Sequence, residues 1–274
     1  MNQEEMIKTY FSNLKENELM LISGGSFEGI FKAIRQAVIN ALNSGKRVAI
    51  FESENGKDGG MLPFEEQGRK KRGWDLLSIF YSMNYRIGDV EVSNGYSLSL
   101  NNIVQEVESK KNTNEQYDLV VIVDAEVLPE LTSFKSPGEI AGKIKKMQKR
   151  IGVPVIFSLQ LTNKSFRAFD YISNRDKLFH SVRNFIDFLI RIDDDEIKGK
   201  SPLEFDVKLY ECRNREIDAS FFLNKDDHRF YLKDENVANL FNKALGLGLE
   251  KEDAIVYATY WNKNESAGYK NDDN

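Results

Sequence analysis

Residues 19–29 constrain the fold of this chain more than any other stretch. Leu19, Met20, Leu21 and Ile22 form an apolar run, Ser23-Gly24-Gly25-Ser26-Phe27-Glu28-Gly29 follows as a glycine-bearing loop, and residues 30–42 have helical spacing. Strand, glycine loop and helix in that order are the layout of a phosphate-binding loop, whose pattern is G-x-x-x-x-G-K-[ST]. Gly24 and Gly29 hold the two glycine positions, with Gly25 and Ser26 between them as further cradle residues. Ile30 stands at the lysine position and Phe31 at the hydroxyl position. The lysine neutralises phosphate charge and the hydroxyl ligates Mg²⁺, so the layout is present and its two chemical groups are not. A helix N-terminus can still attract phosphate through its backbone, whereas Glu28 opposes it. Lys32 is close in sequence but points to another side of the helix. A turn that binds no nucleotide is the alternative.

The rest of the chain reads as alternating strands and helices. Ile30, Ile34, Val38 and Leu42 line one helical face, and a second strand at 48–51 runs into Glu52-Ser53-Glu54. Residues 55–73 are a glycine-rich loop with the basic run 69–72. A helix is expected at 74–83 and a strand at 90–92. Ser99 caps a helix whose Leu100, Ile103, Val104 and Val107 face inward. Residues 119–123, nearly all β-branched, read as a strand buried on both faces that ends at Asp124. A loop spans 129–135. Ser136-Pro137-Gly138-Glu139 is a capping box with proline at the first helical position. Behind it Ile140, Ile144, Met147 and Ile151 make an apolar stripe, and Lys143, Lys145, Lys146, Lys149 and Arg150 read as a solvated face. A strand at 154–157 ends in Ser158-Leu159-Gln160. A mixed segment covers 162–183, a strand 185–190, an antiparallel hairpin 205–210 with 219–223, and late helices 237–245 and 251–260.

The fold class is therefore α/β, with a mostly parallel sheet, flanking helices and a C-terminal antiparallel hairpin. Ligands in such sheets bind beyond the carboxyl ends of the strands. The loop at 23–29, Glu54, Asp124 and Gln160 all fall at such ends.

Composition narrows the function classes. The 274 residues carry a formal net charge of -5, which argues against a strongly basic nucleic-acid binder while leaving room for a local basic patch. Cys212 is the one cysteine, so no intrachain disulfide forms and a cytoplasmic location is expected; it reads as a packing residue. No apolar run has membrane-spanning length, no leader is read at the N-terminus, and no internal repeat is evident. His180 and His228 have no partners at metal-ligand spacing.

The order of these motifs resembles the C-terminal motor domain of DnaB-like replicative helicases, a RecA-like ATPase, over about residues 14–230. The segment Asn17-Glu18-Leu19-Met20-Leu21-Ile22 looks like that family's approach to its phosphate loop. The segment Val48-Ala49-Ile50-Phe51-Glu52-Ser53-Glu54 is similar to its glutamate-bearing strand, with the catalytic glutamate on Glu54. The run from Tyr117 to Asp124 resembles its Walker B strand, with Asp124 at the metal-associated position. The run from Gly152 to Leu161 resembles the sensor strand, with Gln160 at the sensing amide. In Cys212-Arg213-Asn214-Arg215 the resemblance puts Arg215 at the arginine finger and Arg213 at the preceding lysine.

The resemblance implies domains at 1–17 (N-terminal segment), 18–232 (core), 233–261 (C-terminal helices) and 262–274 (polar tail). It implies ATP and Mg²⁺ as cofactors, which the altered phosphate loop puts in question, a homo-oligomer, and single-stranded DNA or replication proteins as partners. Loops 129–135 and 162–183 would face a DNA channel. The second carries Lys164, Arg167, Arg175, Lys177 and Arg183 interleaved with Phe166, Phe169 and Tyr171, a mix suited to backbone contact and base stacking. Each site residue also has a plain alternative: Glu54 as an exposed strand-end carboxylate, Arg213 and Arg215 as solvated turn arginines, and segment 162–183 as an ordinary surface loop. Two functions stay open: a protein deficient in ATP hydrolysis that binds DNA or a replication partner, and an active ATP-dependent motor with an atypical phosphate loop.

Overall fold

The structure is a computed structural model. It describes residues 14–24, 27–53, 90–95, 98–134, 136–161, 175–193, 204–211, 218–224, 230–232, 235–250, 253–254 and 257–258. The expected helix at 74–83, the loop 55–73, the basic run 69–72, the segment 1–13 and the polar tail lie outside these residues.

The described strands form one nine-stranded sheet in the order β3-β2-β4-β5-β1-β6-β7-β8-β9. These are β1 (Leu19–Gly24), β2 (Val48–Ser53), β3 (Val90–Gly95), β4 (Leu119–Val123), β5 (Val155–Gln160), β6 (Phe188–Asp193), β7 (Glu204–Glu211), β8 (Asp218–Asn224) and β9 (Phe230–Leu232). The pairs from β3 across to β6 are parallel. The pairs from β6 to β9 are antiparallel, with β7 and β8 in register from Glu204 opposite Asn224 to Tyr210 opposite Asp218. The helices are α1 (Phe27–Asn43), α2 (Leu100–Lys110), α3 (Pro137–Ile151), α4 (Arg175–Val182) and α5 (Glu235–Gly246).

The uninterrupted apolar runs at 19–22 and 119–123 are explained by burial on both faces of the sheet. Side chains alternate between two clusters. Met20, Ile22, Ile50, Val121, Ile156 and Ile190 pack on the side of α1. Leu19, Leu21, Phe51, Val120, Ile122, Phe157 and Leu189 pack on the side of α2, α3 and α4. Helix α1 is covered on its outer side as well, because Phe241 and Ala244 of α5, with Ala254 and Ala258, belong to its cluster. That is why Ile39 and Lys32, on the side away from the sheet, are buried too.

Local signals set several boundaries. The Ser136 hydroxyl accepts from the Glu139 N–H while the Glu139 carboxylate accepts from the Ser136 N–H, which completes the capping box, and Gly152 closes α3 in the left-handed conformation. Ser99 caps α2. On the surface Arg150 grips the Glu108 carboxylate with two bonds of 2.9 Å. This side-chain hydrogen bonding holds that carboxyl below its usual range.

Other boundaries depart from the sequence reading. Helix α1 begins at Phe27, three residues before Ile30, so Glu28 and Gly29 belong to its first turn and not to a loop. Strand β5 runs on to Gln160. Strand β6 occupies 188–193, not 185–190, because pairing with β1 sets its register from Met20 opposite Phe188 to Gly24 opposite Ile192. The mixed segment contains α4.

Lys145 is the clearest departure from the solvated face expected of α3. It is 7% exposed and Asp187 is 4% exposed. Lys145 Nζ donates to the Asn17 carbonyl at 2.8 Å and lies 3.2 Å from Asp187 Oδ2. The Leu19 N–H donates to the same carboxylate oxygen at 2.8 Å, and the Asp187 N–H donates to the Leu19 carbonyl. Removing one partner of a buried pair leaves an uncompensated charge and costs about 3–5 kcal/mol. Lys145→Met should therefore lower the urea-unfolding free energy by about that amount. Lys145→Met with Asp187→Asn should cost less than Lys145→Met alone, because the asparagine carbonyl still accepts the Leu19 N–H and no charge stays buried. Equal losses in both variants would contradict this account.

Candidate functional site

The described candidate residues gather at the carboxyl ends of β1, β2, β4 and β5. Strands β4 and β5 are paired as far as Ile122 opposite Phe157. Beyond that point the chain leaves β4 through Asp124, whose backbone is left-handed (φ 51°, ψ 55°), into a 3-10 turn at Ala125–Val127. Aspartate tolerates this conformation better than most residues. Two side chains then take over from the lost ladder. The Asp124 N–H donates to the Ser158 hydroxyl oxygen at 2.8 Å, and the Gln160 N–H donates to Glu126 Oε1 at 3.0 Å. On the other flank Gly24 stands opposite Gln160, and its carbonyl accepts from the Leu161 N–H at 2.9 Å.

Asp124, 6% exposed, and Gln160 are thus brought together, as the sequence order implied. Two acidic residues that the sequence reading did not single out join them. Glu126 is one. Glu52, 8% exposed, is the other, and alternation puts it on the α1 side with Ile50. The available signal was an Asp-x-Glu spacing directly after an apolar strand. Among the described residues no group of three or more His, Cys, Asp or Glu side chains is placed to hold a metal ion. Asp124 would have to act with water and phosphate oxygens as the remaining ligands.

The phosphate-loop positions behave differently. Gly24 is packed against β6, and a methyl group added there would lie 2.5 Å from the Ile192 carbonyl oxygen. Only residues 25 and 26 separate β1 from α1. Ile30, at the lysine position, is fully buried beside Ile22, Val123 and Ile192, and Phe31 packs against the same cluster. Lys32 lies about 200° round the helix from Ile30.

Of the basic residues, Lys177 and Arg183 are exposed. Arg175 opens α4, and Arg183 directly follows it. Helix α4 lies hard against α3: a methyl group on Gly138 would meet the Ser181 carbonyl oxygen at 2.3 Å, and one on Gly142 the Phe185 ring at 3.3 Å. Gly25, Ser26, Glu54, Lys164, Arg167, Cys212, Arg213, Arg215 and His228 lie outside the described residues. His180 is exposed and meets the Phe179 ring edge-on.

The sheet order and the helices on its two faces define a RecA-like ATPase fold. Within that class the chain has the architecture of DnaB-like helicase domains. It is similar to a solved helicase ATPase domain at a TM-score of 0.56 and 16% identity, over 81% of this chain and 86% of that one. It is also similar to a DnaB-like replicative helicase whose interactions with primase have been described, at a TM-score of 0.54 and 16% identity, over 79% of this chain and 57% of that one. At this identity the likeness establishes the fold. No protein-family model matches the sequence, and no curated protein does. No described helix is long and apolar enough to cross a membrane.

Gly24 has a packing reason to be glycine that is independent of any ligand. Gly24→Ala forces β1 and β6 apart at the centre of the sheet. It should destabilise the chain by about 1–3 kcal/mol, the usual cost of overpacking, read from a thermal melt without nucleotide. A melt unchanged from wild type would return Gly24 to a purely ligand-binding role.

Proposed function

We propose that this chain is a DnaB-like RecA-fold protein of DNA replication or recombination that binds single-stranded DNA or a replication partner and is deficient in ATP hydrolysis. The observation that carries this reading is Ile30. At the position where an active relative would present a cation to phosphate, the chain buries an aliphatic side chain in its core. Burying a large apolar side chain contributes roughly 1.5–3 kcal/mol, so the turn is held by packing and not by a ligand. The residues present fit ATP-Mg²⁺ poorly, and no catalytic step is assigned to it. An active motor is the competing reading. What favours it is the meeting of Asp124 and Gln160 at the strand ends, with Glu54, Arg213 and Arg215 as its remaining candidates. A homo-oligomer and a cytoplasmic setting belong to the proposal with either reading.

Nucleotide present at about 100 times its Kd would add about 2.7 kcal/mol of stability, a rise of several degrees in Tm. The expected result is no rise with ATP-Mg²⁺ and no sustained hydrolysis, while Ile30→Lys with Phe31→Thr lowers Tm. Robust Mg²⁺-dependent turnover that vanishes in Glu54→Ala would sink this reading and establish the motor.

For DNA, the support is the run of Lys164, Arg167, Arg175, Lys177 and Arg183, two of which are exposed on or beside α4. Titration of a fluorescent oligothymidylate should show affinity falling with salt. Arg167→Ala and Arg175→Ala should each weaken binding and flatten the salt slope by about 0.7 for a lost phosphate contact. Salt-independent binding, or none at low salt, would remove DNA as the partner.

A further inference from the structure

Glu126 belongs to no motif used above, yet it occupies a distinctive place. It lies in the 3-10 turn that follows Asp124, and its carboxylate accepts the N–H of Gln160, the last residue of β5. One residue later, the Leu161 N–H is held by the Gly24 carbonyl on β1. The chain therefore leaves the sheet between two fixed points, one on β4's outgoing turn and one on β1. Only one of the two is a side chain. The residues that follow in sequence are those proposed to meet DNA, Lys164 and Arg167, and then α4.

We infer that Glu126 is a positioning residue: its carboxylate holds the exit of β5 at Gln160 and so sets where the basic segment after β5 starts. The inference rests on the DNA-binding reading for its functional consequence, and on geometry alone for the hold itself. Strand pairing cannot supply the hold. The β4–β5 ladder has ended at Ile122 and Phe157, and the left-handed turn at Asp124 carries β4's continuation away from β5. A carboxylate reaching back to a backbone N–H is the stronger, charge-assisted kind of hydrogen bond. Because Glu126 and Asp124 share one short turn, whatever displaces Asp124 also displaces this hold. The acidic edge of the site and the start of the basic segment are thus mechanically joined through Glu126.

The two conservative variants separate this role from others. Glu126→Gln keeps an oxygen acceptor at the same reach, and Glu126→Ala removes it. Amide hydrogen exchange, followed by NMR on the full chain without nucleotide, reads the hold directly. Glu126→Ala should lower protection of the Gln160 amide by about tenfold or more, the scale set by losing a hydrogen bond to a charged group. Val121 and Ile156 should stay protected, and Glu126→Gln should retain most of the wild-type value. The same three proteins are then titrated with fluorescent oligothymidylate, where Glu126→Ala should bind several-fold more weakly and Glu126→Gln close to wild type. Unchanged Gln160 protection in Glu126→Ala overturns the inference. So does a Glu126→Gln protein as deprotected as Glu126→Ala. Lost protection in Glu126→Ala beside a wild type that binds no DNA supports the hold and instead overturns the DNA-binding reading.

Discussion

Asp187 holds the amino end of the central strand. Strand β1 is buried on both faces, so no water can satisfy its first backbone groups, and an orphaned amide there would carry the full desolvation cost. Asp187 takes the Leu19 N–H on its carboxylate and gives its own N–H to the Leu19 carbonyl. Lys145 neutralises it and reaches on to the Asn17 carbonyl, while Gln148 bonds the Glu16 carbonyl. Two side chains of α3 and one residue before β6 thereby fix where β1 starts. The registers of β5 and β6 follow from that point, and so does the level at which Gly24, Gln160 and Ile192 meet at the other end of the sheet.

Where the sequence spoke locally it was legible. The capping box at Ser136 and Glu139, the cap at Ser99 and the doubly buried run at 119–123 each state their structure within a few residues, because the physics involved is local hydrogen bonding or uniform burial. Phe185-Ile186-Asp187 shows the limit. By pattern it continues into the apolar residues behind it and reads as strand. Only contact with β1 reveals that Asp187 is a clamp and that the strand starts after it. Lys145 is similar: spacing puts it off the apolar stripe of α3, and only α4 and β6, packed on its flank, make that flank interior.

The candidate site divides along the same line. Asp124 and Gln160 were legible because strand ends in a parallel sheet converge at one edge whatever the details. Glu126 was not, since its role depends on a left-handed turn and on β5 outlasting its partner strand. Ile30 could be seen to be the wrong residue for phosphate, but not that it is fully enclosed. That enclosure depends on β6 and the outgoing end of β4 meeting α1.

The contact between α3 and α4 has a mechanical consequence. Packed helices ordinarily yield by shear, sliding on a layer of interdigitated side chains. At Gly138 that layer is missing: the glycine backbone faces the Ser181 carbonyl directly, and four residues on Gly142 faces the Phe185 ring. With no side chains to re-pack, the low-cost sliding mode is closed, and the two helices translate or rotate only as one lever. Lys177 and Arg183 therefore keep a constant spacing from the lysines of α3, so the charge pattern this face offers a polyanion is a rigid template.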